Sequence, residues 1–236
     1  MDARRARRFI RAKGVSQARR YTRGVVLGQA TLFGHDEPTF DETFAGMRRI
    51  ELGDGAWLDH LPAWLQGHAT LFDAIESGTS WRREQRKMYD RIVDVPRSFA
   101  VLADRGASHP LLAMMATALS RRYQTELVRV SVALYRDGSD SVAWHGDYVA
   151  RNMDQALVAT VSVGAPRRFL MRPKGGGRSR SMDLGWGDLL VMGGSCQRTW
   201  QHCVPKVKRA DPRIAIMFRP VWDQDDPDPE RTGTRN

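Results

Sequence analysis

The sequence predicts a mostly β fold, α+β overall, in which N-terminal helices brace an all-β core. Three observations carry that expectation. Apolar residues recur at helical spacing in two stretches before residue 125. After Glu126, short alternating runs follow one another, separated by Gly, Pro or charged turns. Those runs lie too close together for crossover helices and no GxGxxG accompanies them, which excludes a dinucleotide-binding α/β sheet.

Taken in order, residues 1–23 hold nine basic residues against the single acid Asp2. They are expected to form a loose arm able to lie along a phosphate backbone, a transit segment being the other reading. One domain is expected over 24–222. From Ala56 to Thr79 an approach segment leads into an amphipathic helix, with Leu61, Trp64 and Leu65 at helical spacing and Ala69, Leu71, Phe72 and Ile75 continuing the stripe. A second helix is expected at about 111–124, with Leu112, Met115, Ala116 and Leu119 inward. Arg121 and Arg122 close it where the helix dipole favours positive charge. The stretch between the helices, SWRREQRKMYDRIVDVPRSF, is strongly basic. LVRVSVALY, LVATVSVG, RRFLMRP, SMDLGWGDLLVMGG, WQHCV and RIAIMFRP are the strand candidates of a sandwich or barrel. The tail, 223–236, carries Asp223, Asp225, Asp226, Asp228 and Glu230 among prolines and is expected to be disordered.

Composition narrows the classes. An apolar content of 42% and seven tryptophans fit a folded body. No run of 18 uncharged apolar residues occurs, which excludes a membrane-spanning helix, and the N-terminus lacks the apolar stretch of a secretory signal. A cytoplasmic place is expected, nucleoid-associated in a bacterium. Cys196 and Cys203 are too few for a disulfide scaffold and form no CxxC. Cys203 adjoins His202 in a strand-like run, so the two point to opposite faces and the cysteines read as small buried side chains. A net charge of +10 attracts polyanions, nucleic acid foremost, unless it reflects only a compositional bias toward arginine.

The chemistry begins at His145-Gly146-Asp147. In a strand, positions i and i+2 share a face, so both side chains can reach one ion, and His202 would complete two nitrogens and a carboxylate. That facial set leaves positions open on an octahedral metal and is the donor set of non-haem Fe(II) oxygenases, where a cosubstrate and O2 meet the same ion. Arg213 and Arg219, six apart in RIAIMFR, share a strand face. A guanidinium holds a carboxylate bidentately, so one of them should fix the distal carboxylate of an oxo-acid. Tyr135 could donate its hydroxyl to the same molecule.

YRDGSDSVAWHGD, SVGAPRRFLMR, GDLLVMGGSCQRTWQHCVPK and RIAIMFR resemble, in order and spacing, the AlkB-like family of 2-oxoglutarate- and Fe(II)-dependent nucleic-acid dealkylases, its repair branch above all. The resemblance covers about residues 80–220. It implies a double-stranded β-helix, or jelly-roll, core and oxidative removal of alkyl groups from damaged bases. Carried over by position, His145, Asp147 and His202 resemble the iron ligands. Arg213 and Tyr135 resemble the groups holding 2-oxoglutarate, and Arg219 the second arginine of the site. The segment at about 80–100 resembles the family's substrate cover, which makes Tyr89 the leading base contact, with Trp81 beside it. Tyr148 is a stacking candidate, and Arg168 matches an arginine near the substrate cleft. The chain departs from the family at Ala133 and Ala215, where amides are usual, and at Tyr148 and Val149, where acids are usual. The expected partner is nucleic acid with alkylated bases, DNA ahead of RNA, met by a monomer and without a membrane. Rival readings are an oxygenase of the same class acting on a protein or small molecule, a silent nucleic-acid-binding relative, and a cupin-like metal protein.

Overall fold

The computed structural model describes residues 37–88, 91–102, 109–147 and 153–221, side chains within 83–95 excepted. The basic arm, the acidic tail, Tyr89 and Tyr148 lie outside the described residues. Four strands open the described chain, β1 (Thr39–Phe40), β2 (Arg48–Gly53), β3 (Ala56–Leu61) and β4 (Leu65–Gln66), before helix α1 (His68–Gly78). A hairpin follows, β5 (Arg82–Met88) and β6 (Arg91–Leu102), then helix α2 (Pro110–Tyr123). Next come β7 (Arg129–Tyr135), β8 (Val142–His145), β9 (Val158–Gly164), β10 (Arg167–Pro173), β11 (Arg180–Leu184) and β12 (Asp188–Gly194). A single turn, α3 (Cys196–Thr199), leads to β13 (Trp200–Val204) and β14 (Arg213–Arg219).

An eight-stranded sheet runs in the order β2-β3-β12-β9-β14-β7-β6-β5, and a four-stranded sheet in the order β11-β10-β13-β8. Every neighbouring pair in both is antiparallel. The fold is therefore mixed α+β, dominated by antiparallel sheet. Alternation within the strands explains the layering. Val130, Val132 and Leu134 of β7 and Ile214, Ile216 and Phe218 of β14 join Leu71, Ile75, Leu112, Met115 and Leu119 in one core between large sheet and helices. Ala133, Tyr135 and Ala215, one residue out of step, join Phe169, Met171, Leu184, Trp200 and Val204 in a second core between the sheets. Both faces of the large sheet are covered, which is why its central strands read as almost unbroken apolar runs.

Three expectations need correction. Leu61, Trp64 and Leu65 are not helical: Leu61 ends β3, Leu65 begins β4, and the helix starts only at His68. Their spacing imitates a helix, but Trp64 is buried by stacking on Phe44 and by its Nε1–H, which donates to Asp41 O at 2.7 Å. The basic stretch between the helices is a hairpin, so strands both precede and separate the helices. SMDLGWGDLLVMGG is two strands in different sheets. The turn at Gly185–Gly187 divides it, and Gly187 has φ 91° with its missing Cβ pressed against Leu65 O, a position only glycine fills. The second helix agrees with expectation, capped by His109, whose Nδ1 accepts from Leu111 N at 3.3 Å, with Pro110 at its first position.

One stability consequence arises here. His60 lies in β3 with its Nε2 buried and without a hydrogen-bond partner among the described residues. Burial pulls its imidazole below the usual histidine range, against the pull of Asp188. As pH falls below about 6.5, the unfolded chain takes up this proton first, so the contribution present above that pH is lost on acidification. The urea midpoint is expected to fall between pH 7 and pH 5, and to fall less in His60→Gln.

Candidate active site

β8 and β13 are antiparallel neighbours in which His145 stands directly opposite His202. Their rings lie 4.3 Å apart between centroids, and Phe169 stacks on His202 at 5.3 Å. β8 ends at His145, so Asp147 reaches the cluster from a turn instead of from the strand expected for it. One ligand atom each from His145, Asp147 and His202 lies within 4.8 Å of the others, the sole such group among the described residues.

The turn is shaped by Gly146. A Cβ there would meet Gln197 O at 2.6 Å and Trp200 O at 3.3 Å, both backbone atoms. Gln197, 2% exposed, accepts the Asp147 N–H at 3.0 Å through Oε1. What His-Gly-Asp requires is thus the absence of a side chain at 146 as much as the two donors. Gly146→Ala is expected to displace Asp147 and weaken Co(II) binding by roughly tenfold or more, with the thermal transition still cooperative. A Co(II) titration by absorbance reads this directly.

Protonation states suit a metal. His145 Nδ1 lies 2.8 Å from Ala143 O, and a carbonyl only accepts, so Nδ1 carries a hydrogen and Nε2 is the ring nitrogen left to meet a metal. Burial, with His145 nearby, pushes the His202 imidazole down to about 3 despite Asp147. Burial alone would raise the Asp147 carboxyl, but Arg219, the two histidines and Arg97 outweigh it and hold it below the ordinary range. His202 and Asp147 thus offer a neutral imidazole and a carboxylate, which need no deprotonation to bind a divalent cation.

Beside the triad, β14 directs Arg213, Ala215, Met217 and Arg219 to the face opposite Ile214, Ile216 and Phe218. Arg213 is 2% exposed and donates to Ser162 Oγ at 2.7 Å, while its Nε–H has no partner among the described residues. Burial pushes its guanidinium down to about 10, against the pull of Tyr135. Leaving such a donor dry and unpaired costs about 1–3 kcal/mol, which an anionic ligand would recover. Arg219 donates to Ser131 Oγ at 3.1 Å and lies 3.8 Å from Asp147. Tyr135, 2% exposed, sits between the guanidiniums of Arg213 at 5.3 Å and Arg167 at 5.6 Å from its ring centre.

The remaining expected residues fall elsewhere. Arg168 points outward from β10, 60% exposed in its side chain and 3.8 Å from Asp183. The inward member of that pair is Arg167, which donates to the carbonyls of Asp137, Asp140 and Pro205. Trp81 packs on the helix-side core and donates its indole N–H to Glu76 O at 2.9 Å, and the structure does not bring it to the triad. Trp144 carries the Arg172 guanidinium 4.2 Å above its ring. Cys196 and Cys203 are buried free thiols, and burial raises both, Cys196 to about 12, so neither supplies a thiolate. Sequence reasoning missed Arg167, Gln197, Ser131 and Ser162, and it grouped Arg97 with the basic stretch expected to meet phosphates. The available signal was a polar residue inside an otherwise apolar strand, as in VATVSVG.

Two histidines and one carboxylate are the donor set of the non-haem iron oxygenase class. Comparison with known proteins agrees. A model of the 2OG-Fe(II) oxygenase superfamily matches residues 68–221, and the chain belongs to the AlkB-like 2OG/Fe(II) oxygenase family. Alpha-ketoglutarate-dependent dioxygenase alkB homolog 3 of Bos taurus is 32% identical over 161 residues, 64% of this chain and 52% of that protein. DNA oxidative demethylase ALKBH2 of Arabidopsis thaliana is 27% identical over 221 residues, 74% of this chain and 69% of that protein. The chain spans about half the length of the alkB homolog 3 proteins it matches. The solved structure of OsALKBH1 shares the fold at a TM-score of 0.51 with 15% identity, covering 73% of this chain and 100% of its own. Among the described residues no helix is long and apolar enough to cross a membrane.

Proposed function

We propose that this protein is an Fe(II)- and 2-oxoglutarate-dependent dioxygenase that removes alkyl groups from damaged nucleic-acid bases, DNA ahead of RNA. The observation that carries the reading is the placement of Arg213 and Tyr135 on the same inter-sheet face as the triad. A buried guanidinium with an unused N–H fits a dicarboxylate that must be held at its far end. In this reading the two facing sheets form a double-stranded β-helix, and one oxygenase domain covers 24–222.

His145, Asp147 and His202 would hold Fe(II), leaving its other positions for cosubstrate and O2. When bound, iron, 2-oxoglutarate and O2 supply oxidation of an N-linked alkyl carbon. The cosubstrate would supply the reducing equivalents and yield succinate and CO2, and an N-methyl carbon oxidised there would be released as formaldehyde. The protein's own part is placement. Ser162 orients Arg213, Arg213 and Tyr135 bind the distal carboxylate, and Arg219 keeps Asp147 ionised. Ala133 and Ala215, opposite each other in β7 and β14, put two small apolar side chains where the family usually has amides. A base inside a duplex must be flipped or already unpaired to enter, and Tyr89 and Tyr148 are the proposed contacts for it. The basic residues Arg82, Arg83, Arg86, Lys87 and Arg91, which outnumber Glu84, Asp90 and Asp94 in the same stretch, would meet the phosphates.

The test is release of succinate and formaldehyde from purified protein with Fe(II), 2-oxoglutarate and ascorbate, with and without an oligonucleotide bearing 1-methyladenine or 3-methylcytosine. Both products should appear in step and vanish in His145→Ala. Succinate without formaldehyde would keep the oxygenase and reject the base substrate.

A further inference from the structure

We infer that Arg97 is a positioning residue for the cosubstrate: it accepts no hydrogen bond and donates to Tyr135, so that the phenol's own hydrogen is turned toward the bound oxo-acid. The inference deepens the reading above and rests on it.

The register supplies the geometry. β6 pairs with β7 through Ser98↔Leu134 and Phe99↔Ala133, which sets Arg97 one step further, opposite Tyr135. On the other side Tyr135 stands opposite Arg213, and Arg213 opposite Gly164. Arg97, Tyr135 and Arg213 therefore form one row across three strands. The next row on that face is Phe99, Ala133, Ala215 and Ser162. Of these only Ser162 is polar, and Arg213 already occupies its hydroxyl oxygen.

Arg97 is 7% exposed, and its Nη1 lies 3.5 Å from Tyr135 Oη, an ion–dipole contact at the outer limit of hydrogen bonding. A guanidinium has only donors, whereas a phenol has one donor and two acceptor sites. The Tyr135 oxygen must therefore accept from Arg97, and its hydrogen is directed elsewhere. No protein acceptor takes that hydrogen among the described residues. In a dry site, a nearby cation strengthens the phenol as a donor to an anion. With alanines at 133 and 215 in the neighbouring row, charge and this one hydroxyl are left to select a dicarboxylate.

A double-mutant cycle on 2-oxoglutarate affinity tests the inference, read by calorimetry on Mn(II)-loaded protein without turnover. Arg97→Gln should weaken 2-oxoglutarate about tenfold in the wild-type background, and less than about twofold in Tyr135→Phe. Arg97→Lys, which keeps a charged donor, should recover most of the loss. Mn(II) affinity, measured in the same titrations, should stay within about twofold in every variant, which shows that the triad is intact. Equal losses in both backgrounds would overturn the inference, as would full affinity in Arg97→Gln. A variant that also loses Mn(II) is judged by Arg97→Lys, whose failure to rescue 2-oxoglutarate with Mn(II) intact likewise overturns it. If the Mn(II)-loaded wild type does not bind 2-oxoglutarate, the cosubstrate reading itself falls and the inference falls with it.

Discussion

Replacing Arg213 with methionine is expected to separate stability from cosubstrate binding in opposite directions. The side chain is 2% exposed, donates through Nη2 to Ser162, keeps its Nε–H without a partner among the described residues, and is depressed in basicity by burial. Without a ligand, the fold carries the cost of a desolvated charge. A similar-sized apolar side chain removes that cost, and such exchanges are neutral or stabilising by about 1–4 kcal/mol. Arg213→Met without ligand should therefore melt at or above the wild-type temperature. With Mn(II) and 2-oxoglutarate the order should reverse, because a charge-assisted bidentate contact is worth about 2–3 kcal/mol, or roughly 30- to 150-fold in affinity. Melting curves with and without 2-oxoglutarate check both halves. A variant that is destabilised without ligand and still stabilised by 2-oxoglutarate would assign Arg213 to the scaffold.

Asp147→Asn is expected to have the larger effect on the metal. The amide keeps the shape and the Gln197 contact to the backbone, but removes the only carboxylate of the triad. A neutral amide oxygen is a poor replacement on a divalent cation, and affinity should fall on the order of 100-fold or more. Arg219, 3.8 Å from the carboxylate and 15% exposed in its side chain, loses its counter-charge at the same time. The metal-free variant should therefore also lose about 1 kcal/mol of stability. Co(II) titration and urea unfolding of the same preparation read the two effects separately. Metal affinity within about threefold of wild type would remove Asp147 from the ligand set.

Much of this site was legible because its residues come in fixed local spacings. His145-Gly146-Asp147 and the pair Arg213 and Arg219 need only the period of a strand or a turn. What required the fold was whatever depends on register. In the doublet Arg167-Arg168 one side chain must enter and the other must leave, and a slip of one residue exchanges them. The inward member is Arg167, which stands opposite the buried Leu184 of β11 while Arg168 stands opposite the exposed Asp183. Leu61, Trp64 and Leu65 satisfied a helical spacing by coincidence, while the alternation in AWLDHL was the truer signal. The β5–β6 hairpin escaped notice because an edge strand can be highly charged, its outer side needing no apolar partner. Arg97 was grouped with that basic stretch, and only its position opposite Tyr135 sets it apart.

The direct opposition of His145 and His202 in β8 and β13 also bears on how the chain comes together. These strands are distant in sequence, and β9, β10, β11 and β12 all lie between them. An ion gripping both histidines would clasp the two ends of that long excursion, closing a loop whose entropy the free chain otherwise retains. Because the donors meet only once the small sheet is assembled, an unfolded chain offers no such clasp, and loading favours the native state by mass action. Metal supply would then act as a quality filter: molecules that finish the small sheet are locked by their own cofactor, while those with an unpaired β8 remain open to unfolding and degradation.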